Sequence, residues 1–207
     1  MFSKMSRMMK RAILLLIALL TSANLWAQTT AGEWLEALHK SLGKHYATYM
    51  TVSGENMGGM NGYFIVDGDS YYLTLGAMEV YCDGKLRYEV NNSRKEVVED
   101  RANLDARDIL TNPTRAFDFV SDIYALELQT SAANRAKIRV MPKDDVAELT
   151  IYLDVVKQGG RVLPERVTYD YDGESYTIEL SIIEGDNDTV PKWNKTEYRA
   201  YDIVSFL

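Results

Sequence analysis

The feature that most constrains the fold is a short stretch of alternating residues around an Asp-Gly turn. Residues 78–90 read Met-Glu-Val-Tyr-Cys-Asp-Gly-Lys-Leu-Arg-Tyr-Glu-Val, and such alternation on both sides of a turn signal is typical of a β-hairpin. A two-residue loop would split the apolar side chains between the two faces. A three-residue loop at 82–84, with Gly84 in the left-handed conformation, pairs Val80 with Leu86 and keeps one face apolar. The residues predicted on this face are Met78, Val80, Leu86 and Tyr88.

Four further stretches in the second half of the chain alternate in the same way. Apolar residues take every second position near 138–140, 149–155, 167–171 and 176–182, and the positions between them are largely polar. Because alternate side chains of a strand point to opposite faces, each stretch predicts a strand with one apolar face. The residues assigned to this apolar face are Ile151, Leu153, Val167, Tyr169, Ile178 and Leu180.

Helical spacing marks two other regions. Apolar residues within 32–42 recur at intervals of three and four, which predicts an amphipathic helix. Asp105 can cap a helix that begins at Ala106, and Pro113 suits the first turn of a second helix that ends near Tyr124. The apolar residues of this helical pair are Ile109, Leu110, Phe117 and Val120.

Glycine content predicts one more irregular segment. Residues 54–62 hold four glycines among nine residues, a density that indicates a hairpin loop rather than regular structure. Near the end of the sequence, residues 201–206 predict a short strand.

These elements predict a mostly β fold with a few helices, of the α+β class. Many antiparallel strands with one apolar face must curl up or be covered. One solution is a closed barrel filled with side chains. The other is an incomplete barrel, in which an N-terminal helix and a helical lid enclose an apolar cavity. Alternation alone leaves both open.

The first residues have the pattern of a secretory signal peptide. Four basic residues precede an apolar run at 12–20, and small residues lead to a cleavage site after Ala27, with Ala23 as an alternative. We therefore assign 1–27 to a signal peptide and 28–207 to a single exported domain. Neither the run at 12–20 nor any later stretch reaches the roughly 20 apolar residues of a transmembrane helix. No cysteine lies near the cleavage site, so we expect a soluble protein without a lipid anchor.

The composition excludes several classes of function. After residue 27 there are 19 basic and 30 acidic residues, a net charge of about −11, whereas nucleic-acid binding relies on clustered Lys and Arg. The sequence has two histidines, His39 and His45, and one cysteine, Cys82. They form no metal-binding, hydrolase or phosphate-binding motif. We expect no enzyme activity, no cofactor and no metal, with Cys82 as a small buried side chain.

Tyrosine is unusually frequent, with 14 tyrosines against five phenylalanines. A buried tyrosine needs a hydrogen-bond partner for its hydroxyl, so an inner face rich in tyrosine would suit an amphiphilic ligand. The general preference of tyrosine for strands explains the same count.

Three motifs, in this order, resemble LolA, the periplasmic carrier of outer-membrane lipoproteins. The hairpin carries Tyr-Cys-Asp-Gly-Lys at 81–85 and an aromatic-containing strand after it. Residues 103–113 resemble the short helical insert of that family, and 162–169 resemble its late strand, entered through Pro164. The resemblance covers most of the chain after residue 27.

The resemblance implies a half-barrel whose apolar cavity receives acyl chains. By this likeness, the protein is a monomeric periplasmic carrier that binds acylated lipoproteins or related lipids. It would receive them from an inner-membrane complex and deliver them to an outer-membrane receptor, without nucleic acid as a partner. The alternative is an envelope sensor or interaction domain of the same fold that binds a protein segment.

Overall fold

The computed structural model describes residues 30–55, 57–119, 122–143, 149–183 and 188–207. The assigned signal peptide lies outside these residues, and residues 31–207 form one compact unit. The described part contains helix α1 (Ala31–Leu42), a 3₁₀ turn (Pro113–Arg115) and twelve strands. The strands are β1 (His45–Gly54), β2 (Met57–Asp67), β3 (Ser70–Leu75), β4 (Met78–Cys82), β5 (Leu86–Asn91), β6 (Glu96–Arg101), β7 (Tyr124–Ser131), β8 (Arg135–Pro142), β9 (Leu149–Gln158), β10 (Arg161–Tyr171), β11 (Glu174–Ile183) and β12 (Asp202–Ser205).

All twelve strands form one sheet in the order β12-β6-β5-β4-β3-β2-β1-β11-β10-β9-β8-β7. Neighbouring strands are antiparallel, apart from β12, which runs parallel to β6. Two runs of consecutive strands, β1–β6 and β7–β11, meet where β1 pairs with β11, and we call this junction the seam. Since β12 and β7 lie at opposite ends of the order, the sheet is open. The mostly β class and the open antiparallel sheet are thus confirmed.

One face of the sheet, here called the inner face, carries a continuous apolar surface. The register sets Phe64 opposite Leu73 and Leu73 opposite Val80, and across the seam it sets Val52 opposite Ile178. One apolar residue therefore follows another from strand to strand. Buried residues of this surface include Met50, Val52, Phe64, Leu73, Val80, Ile138, Val140, Ile151, Leu153, Val167, Ile178 and Leu180.

Helix α1 packs on the inner face, against β10 and β7. Its apolar stripe is buried through Trp34, Leu38 and neighbouring residues, as the helical spacing predicts. The helix ends at Gly43, which adopts a φ of +67° and donates its N–H to the His39 carbonyl at 3.0 Å. A glycine in this conformation satisfies a free carbonyl of the last turn. In the described part of the chain, no helix has the length and hydropathy to span a bilayer.

The predicted register of the first hairpin is wrong. Strands β4 and β5 pair Val80 with Glu89 and Tyr81 with Tyr88. The cause is the Asp83 side chain, whose Oδ1 accepts the N–H groups of residues 85 and 86, each at 2.9 Å. This Asx-type turn lengthens the loop beyond three residues. It shifts the register by an odd number of residues, which exchanges the two faces of β5. Met78 and Val80 therefore face the inner side, whereas Leu86 and Tyr88 face the outer side.

The glycine-rich segment is also not the predicted loop. Strand β1 pairs with β2 as far as Gly54 opposite Met57, so most of its glycines lie within β2. At Gly62, an added Cβ would come within 2.4 Å of the Thr74 carbonyl oxygen and 2.6 Å of Met50 Cε. Glycine is needed here because the neighbouring strand and Met50 approach closely.

The predicted helical lid is not confirmed. Residues 103–119, here called the cover segment, consist of turns and the single 3₁₀ turn at Pro113–Arg115. The residue that breaks the expected helix is Asp108, whose Oδ1 accepts the N–H groups of Leu110 and Thr111 at 2.8 and 3.0 Å. Such local side-chain bonds compete with a helical backbone pattern. The cover segment nevertheless buries Ile109 and Phe117 in the same core as the inner face.

Candidate functional site

The inner face and its cover bring together most of the residues predicted as ligand-binding. Leu110 is half-buried and packs against the same core. Met78 is also half-buried, and it lies on the inner side of the sheet. Leu86 and Tyr88 are corrected to the outer face, and Val120 lies outside the described residues. The members buried in the inner core are Val80, Ile109, Phe117, Ile151, Leu153, Val167, Tyr169, Ile178 and Leu180.

Four tyrosines from four different strands attach the cover segment to the sheet. Tyr46 of β1 donates its hydroxyl to the Pro113 carbonyl at 2.9 Å. Tyr71 of β3 donates to the Thr111 carbonyl at 2.8 Å. On the other side of the seam, the remaining two bind the start of the segment. The Tyr169 hydroxyl accepts the Ile109 N–H at 3.2 Å, and the Tyr176 hydroxyl donates to Asp108 Oδ2.

Burial keeps these hydroxyls protonated. It raises the pKa of Tyr71 to about 12, even though the nearby Arg87 lowers it. Burial likewise raises the pKa values of Tyr46, Tyr169 and Tyr176, and Asp108 adds to the shift at the last two. At neutral pH each ring therefore presents a neutral hydroxyl to the cover segment.

Inside the cover segment, polar side chains hold the irregular backbone together. Asn112 is buried, donates its Nδ2 to the carbonyls of Asn103 and Ala106 at 3.2 and 3.3 Å, and accepts the Thr114 hydroxyl at 2.7 Å. Arg107 donates to the Asp118 carbonyl at 2.9 Å. Much of the polar bonding of the cover segment is therefore internal to it.

A charged pair lies at the edge of the apolar face. Arg87 donates Nε to the Tyr71 hydroxyl at 3.2 Å and forms an ion pair with Glu89 at 2.9 Å. The register correction in β5 turns both residues inward. The inner face is therefore apolar over most of its extent and polar near the Tyr71 attachment.

Helix α1 is attached differently from the cover segment. The Ser41 hydroxyl accepts the Val162 N–H at 2.8 Å, and Arg161 donates to the Ser41 carbonyl at 2.9 Å. Among the residues that the structure describes, the buried indole Nε1 of Trp34 has no hydrogen-bond partner.

The inner face carries the thiol of Cys82. Cys82 is buried, and burial raises the pKa of its thiol, which disfavours the nucleophilic thiolate. Among the described residues, no group of three His, Cys, Asp or Glu side chains could hold a metal ion. Extended apolar surface with hydroxyls along it suits an amphiphilic ligand.

The sequence did not reveal the attachment role of the tyrosines. The tyrosine count pointed to buried hydroxyls that need partners, but the partners are backbone groups of an irregular segment. The helix prediction gave no sign of these partners, because the carbonyls within a helix accept hydrogen bonds from N–H groups of the same helix. Arg87 was missed for a different reason, since it depends on the register of the first hairpin.

Comparison with known proteins gives matches among solved structures alone. No family model matches the chain, and no curated protein matches its sequence. An uncharacterised conserved protein from Thermus thermophilus aligns over 84% of this chain and 98% of its own length, with a TM-score of 0.51 and 10% identity. This similarity shows a shared fold.

Two further solved structures align over most of this chain. LprF from Mycobacterium bovis aligns over 78% of this chain and 96% of its own, with a TM-score of 0.42 and 14% identity. A LolA superfamily protein from Nitrosomonas europaea aligns over 82% and 97%, with a TM-score of 0.37 and 10% identity.

Proposed function

We propose that the protein is an exported carrier of the LolA type, which shields the acyl chains of a lipoprotein or related lipid on its inner face. One observation supports this most strongly. A continuous apolar face is covered by a segment without regular helix, which is attached to the sheet by tyrosine hydroxyls. Displacing that segment would expose a ready-made apolar surface.

The energies favour a cover that can be displaced. A typical hydrogen bond contributes about 0.5–1.5 kcal/mol net, and the buried side chains of Ile109 and Phe117 add about 1.5–3 kcal/mol each, so displacing the segment costs several kcal/mol. Burial of an acyl chain contributes about 0.8 kcal/mol per methylene, or about 8 kcal/mol for ten methylenes. Ligand burial can therefore replace the contacts of Ile109 and Phe117 with the sheet.

The same balance explains release. Closing the cover competes with the ligand for the inner face, and binding itself costs orientational freedom. The net affinity is expected to be moderate, which suits a carrier that passes its ligand on. No covalent step is required, so the proposal includes no catalytic group, cofactor or metal.

The predicted signal peptide at 1–27 supports a periplasmic location for this activity. There, a monomeric carrier would receive acylated cargo from an inner-membrane complex and deliver it to an outer-membrane receptor. The acidic composition, with 30 acidic against 23 basic residues in the whole chain, argues against nucleic acid as the cargo.

Calorimetry with paired peptides tests the proposal. The full chain is titrated with an acylated peptide and with the same peptide lacking its acyl chains. We expect one-to-one binding of the acylated peptide at micromolar affinity, on the order of −8 kcal/mol, and no binding of its partner. Equal binding of both peptides would contradict the carrier proposal and favour an interaction domain that recognises a protein segment.

A further inference from the structure

A pocket on the outer face has a composition that the proposed carrier function does not use. It has a volume of about 610 Å³, within the range of roughly 300–1,000 Å³ common for ligand sites. It lies where residues 188–193 pass over the ends of β2, β4 and β5. Its lining includes Asp67, Tyr81, Asp83, Tyr88, Lys192 and Trp193.

The aromatic walls of the pocket are held rigidly. Trp193 stacks on Tyr88 with ring centroids 4.6 Å apart and an interplanar angle of 9°, and on Tyr198 at 4.7 Å and 10°. Glu79 fixes the neighbouring rings, because its Oε2 accepts the hydroxyls of Tyr81 at 2.9 Å and Tyr198 at 3.3 Å. The rings are therefore in place before any ligand arrives.

Two carboxylates line the same pocket. Asp83 Oδ1 accepts the backbone N–H groups of Leu86 and Lys85, and these bonds lower the pKa of Asp83 although partial burial opposes them. Asp67 lies 4.0 Å from His45 Nδ1. Among the described residues of the lining, Lys192 is the one basic residue, so the carboxylates there outnumber the cations. Carboxylates beside aromatic rings are the groups that attract organic cations.

A second groove continues from the first. It has a volume of about 550 Å³, and both share Thr189 and Pro191 as a wall. The floor of the second groove includes Tyr63 and Tyr49, of which Tyr49 is 61% exposed. The wall belongs to a stretch without regular secondary structure that contains Pro191. Two adjoining grooves that share one wall fit an elongated ligand better than a compact one.

We propose that this outer surface binds an extended segment of a partner protein that carries an arginine. The guanidinium enters the first pocket, between the aromatic rings and the carboxylates of Asp67 and Asp83, and the flanking residues lie along the second groove. Arginine suits this pocket because its planar group pairs with carboxylates in a fixed fork and packs well beside aromatic rings. Apart from the buried Cys82, which also lines the pocket, the pocket lies on the face of the sheet opposite the cover segment, so this binding does not require the acyl-binding face.

Fluorescence polarisation with the full chain tests the inference. The probe is a labelled octapeptide of Gly and Ser with one Arg-Pro pair, and its control carries citrulline in place of arginine. Citrulline keeps the planar shape but removes the charge. We expect the citrulline peptide to bind about tenfold more weakly, a difference of about 1.4 kcal/mol. Equal binding of the two peptides, or no binding of either, would overturn the inference.

Protein variants locate the site. The double variant Asp67→Asn with Asp83→Asn should lose the preference for arginine, while its binding of an acylated peptide stays unchanged. The single variant Asp67→Asn leaves the side chain that forms the Asp83 turn unchanged. It should weaken binding of the arginine peptide about threefold.

The matched control, Asp170→Asn with Glu174→Gln, removes two charges outside the pocket and should retain the preference for arginine. Equal losses in both double variants would assign the effect to net charge and reject the site. Competition by free arginine amide at the same concentration as the peptide would reject an extended ligand.

Discussion

Helix α1 and the cover segment lie on the same inner face, but they are attached to it in different ways. Helix α1 is regular and buries Trp34 and Leu38, which are 1% and 0% exposed. The cover segment lacks a helix, bonds largely within itself and reaches the sheet through tyrosine hydroxyls. In the proposed carrier, helix α1 is the permanent element and the cover segment is the displaceable element on a single apolar surface.

The largest expected effect is on the free energy of unfolding, when one leucine of each element is replaced by alanine. Leu38→Ala in α1 should lower the free energy of unfolding by about 3 kcal/mol, because a fully buried leucine leaves a cavity. Leu110→Ala, in the cover segment, should cost about 1 kcal/mol, because that side chain is half-buried. Urea denaturation measures both. Equal losses would show that Leu110 is as tightly packed as Leu38, contrary to its half-buried position.

Alkaline pH should loosen the cover segment before it affects α1. The pKa of Tyr71 is raised from 10.0 to about 12, so its stabilising contribution is complete below pH 10 and is lost as the pH rises through 12. The shift corresponds to about 3 kcal/mol at most. Amide hydrogen exchange is too fast to follow at this pH. The measurement is therefore the signal of a fluorophore attached to the cover segment, which changes when the segment separates from the sheet. Separation that begins below pH 9 would contradict this cause.

Removing the attaching hydroxyls should favour the open state. The variant Tyr46→Phe, Tyr71→Phe and Tyr176→Phe should raise the affinity for an acylated peptide about tenfold, because about 1.4 kcal/mol less is spent on opening the cover. Amide exchange of the cover segment at neutral pH should accelerate as well. The control Tyr152→Phe, on the outer face, should change neither. Weaker acyl binding in the triple variant would indicate that the hydroxyls contact the ligand instead.

The smallest expected effect concerns one attachment point. Asp108→Ala and Tyr176→Phe each remove one partner of the hydrogen bond between Asp108 and Tyr176. A double-mutant cycle on the exchange of the Thr111 amide should give a coupling of about 1 kcal/mol. A coupling near zero would mean that Asp108 acts through its own turn alone.

Much of the sheet could be predicted from the sequence, because alternation records which side of a strand is buried. The inward positions of Ile151, Leu153 and Ile178 follow from this pattern, and so does the helical stripe of α1. Register is harder to predict. A single side chain, Asp83, decides the loop length and thereby the face of Leu86 and Tyr88.

The cover segment could not be predicted for a related reason. Asp105 and Pro113 are genuine helix-start signals, but Asp108 and Asn112 bind nearby backbone groups and stabilise turns instead. The bonds from Tyr46 and Tyr71 to this segment join residues far apart in the sequence. Local patterns contain no information about such long-range partners.

The seam between β1 and β11 has a consequence for folding kinetics. Each run of consecutive strands is built from hairpins whose ends are close in sequence, and such contacts form early. The pairing of Ala47 with Ile183 must close most of the chain into one loop, and long-range closure slows folding. Helix α1 precedes β1 but packs on β10, so it also waits for this step. The inner face is therefore completed late in folding, and until then the folding chain exposes two separate apolar half-sheets.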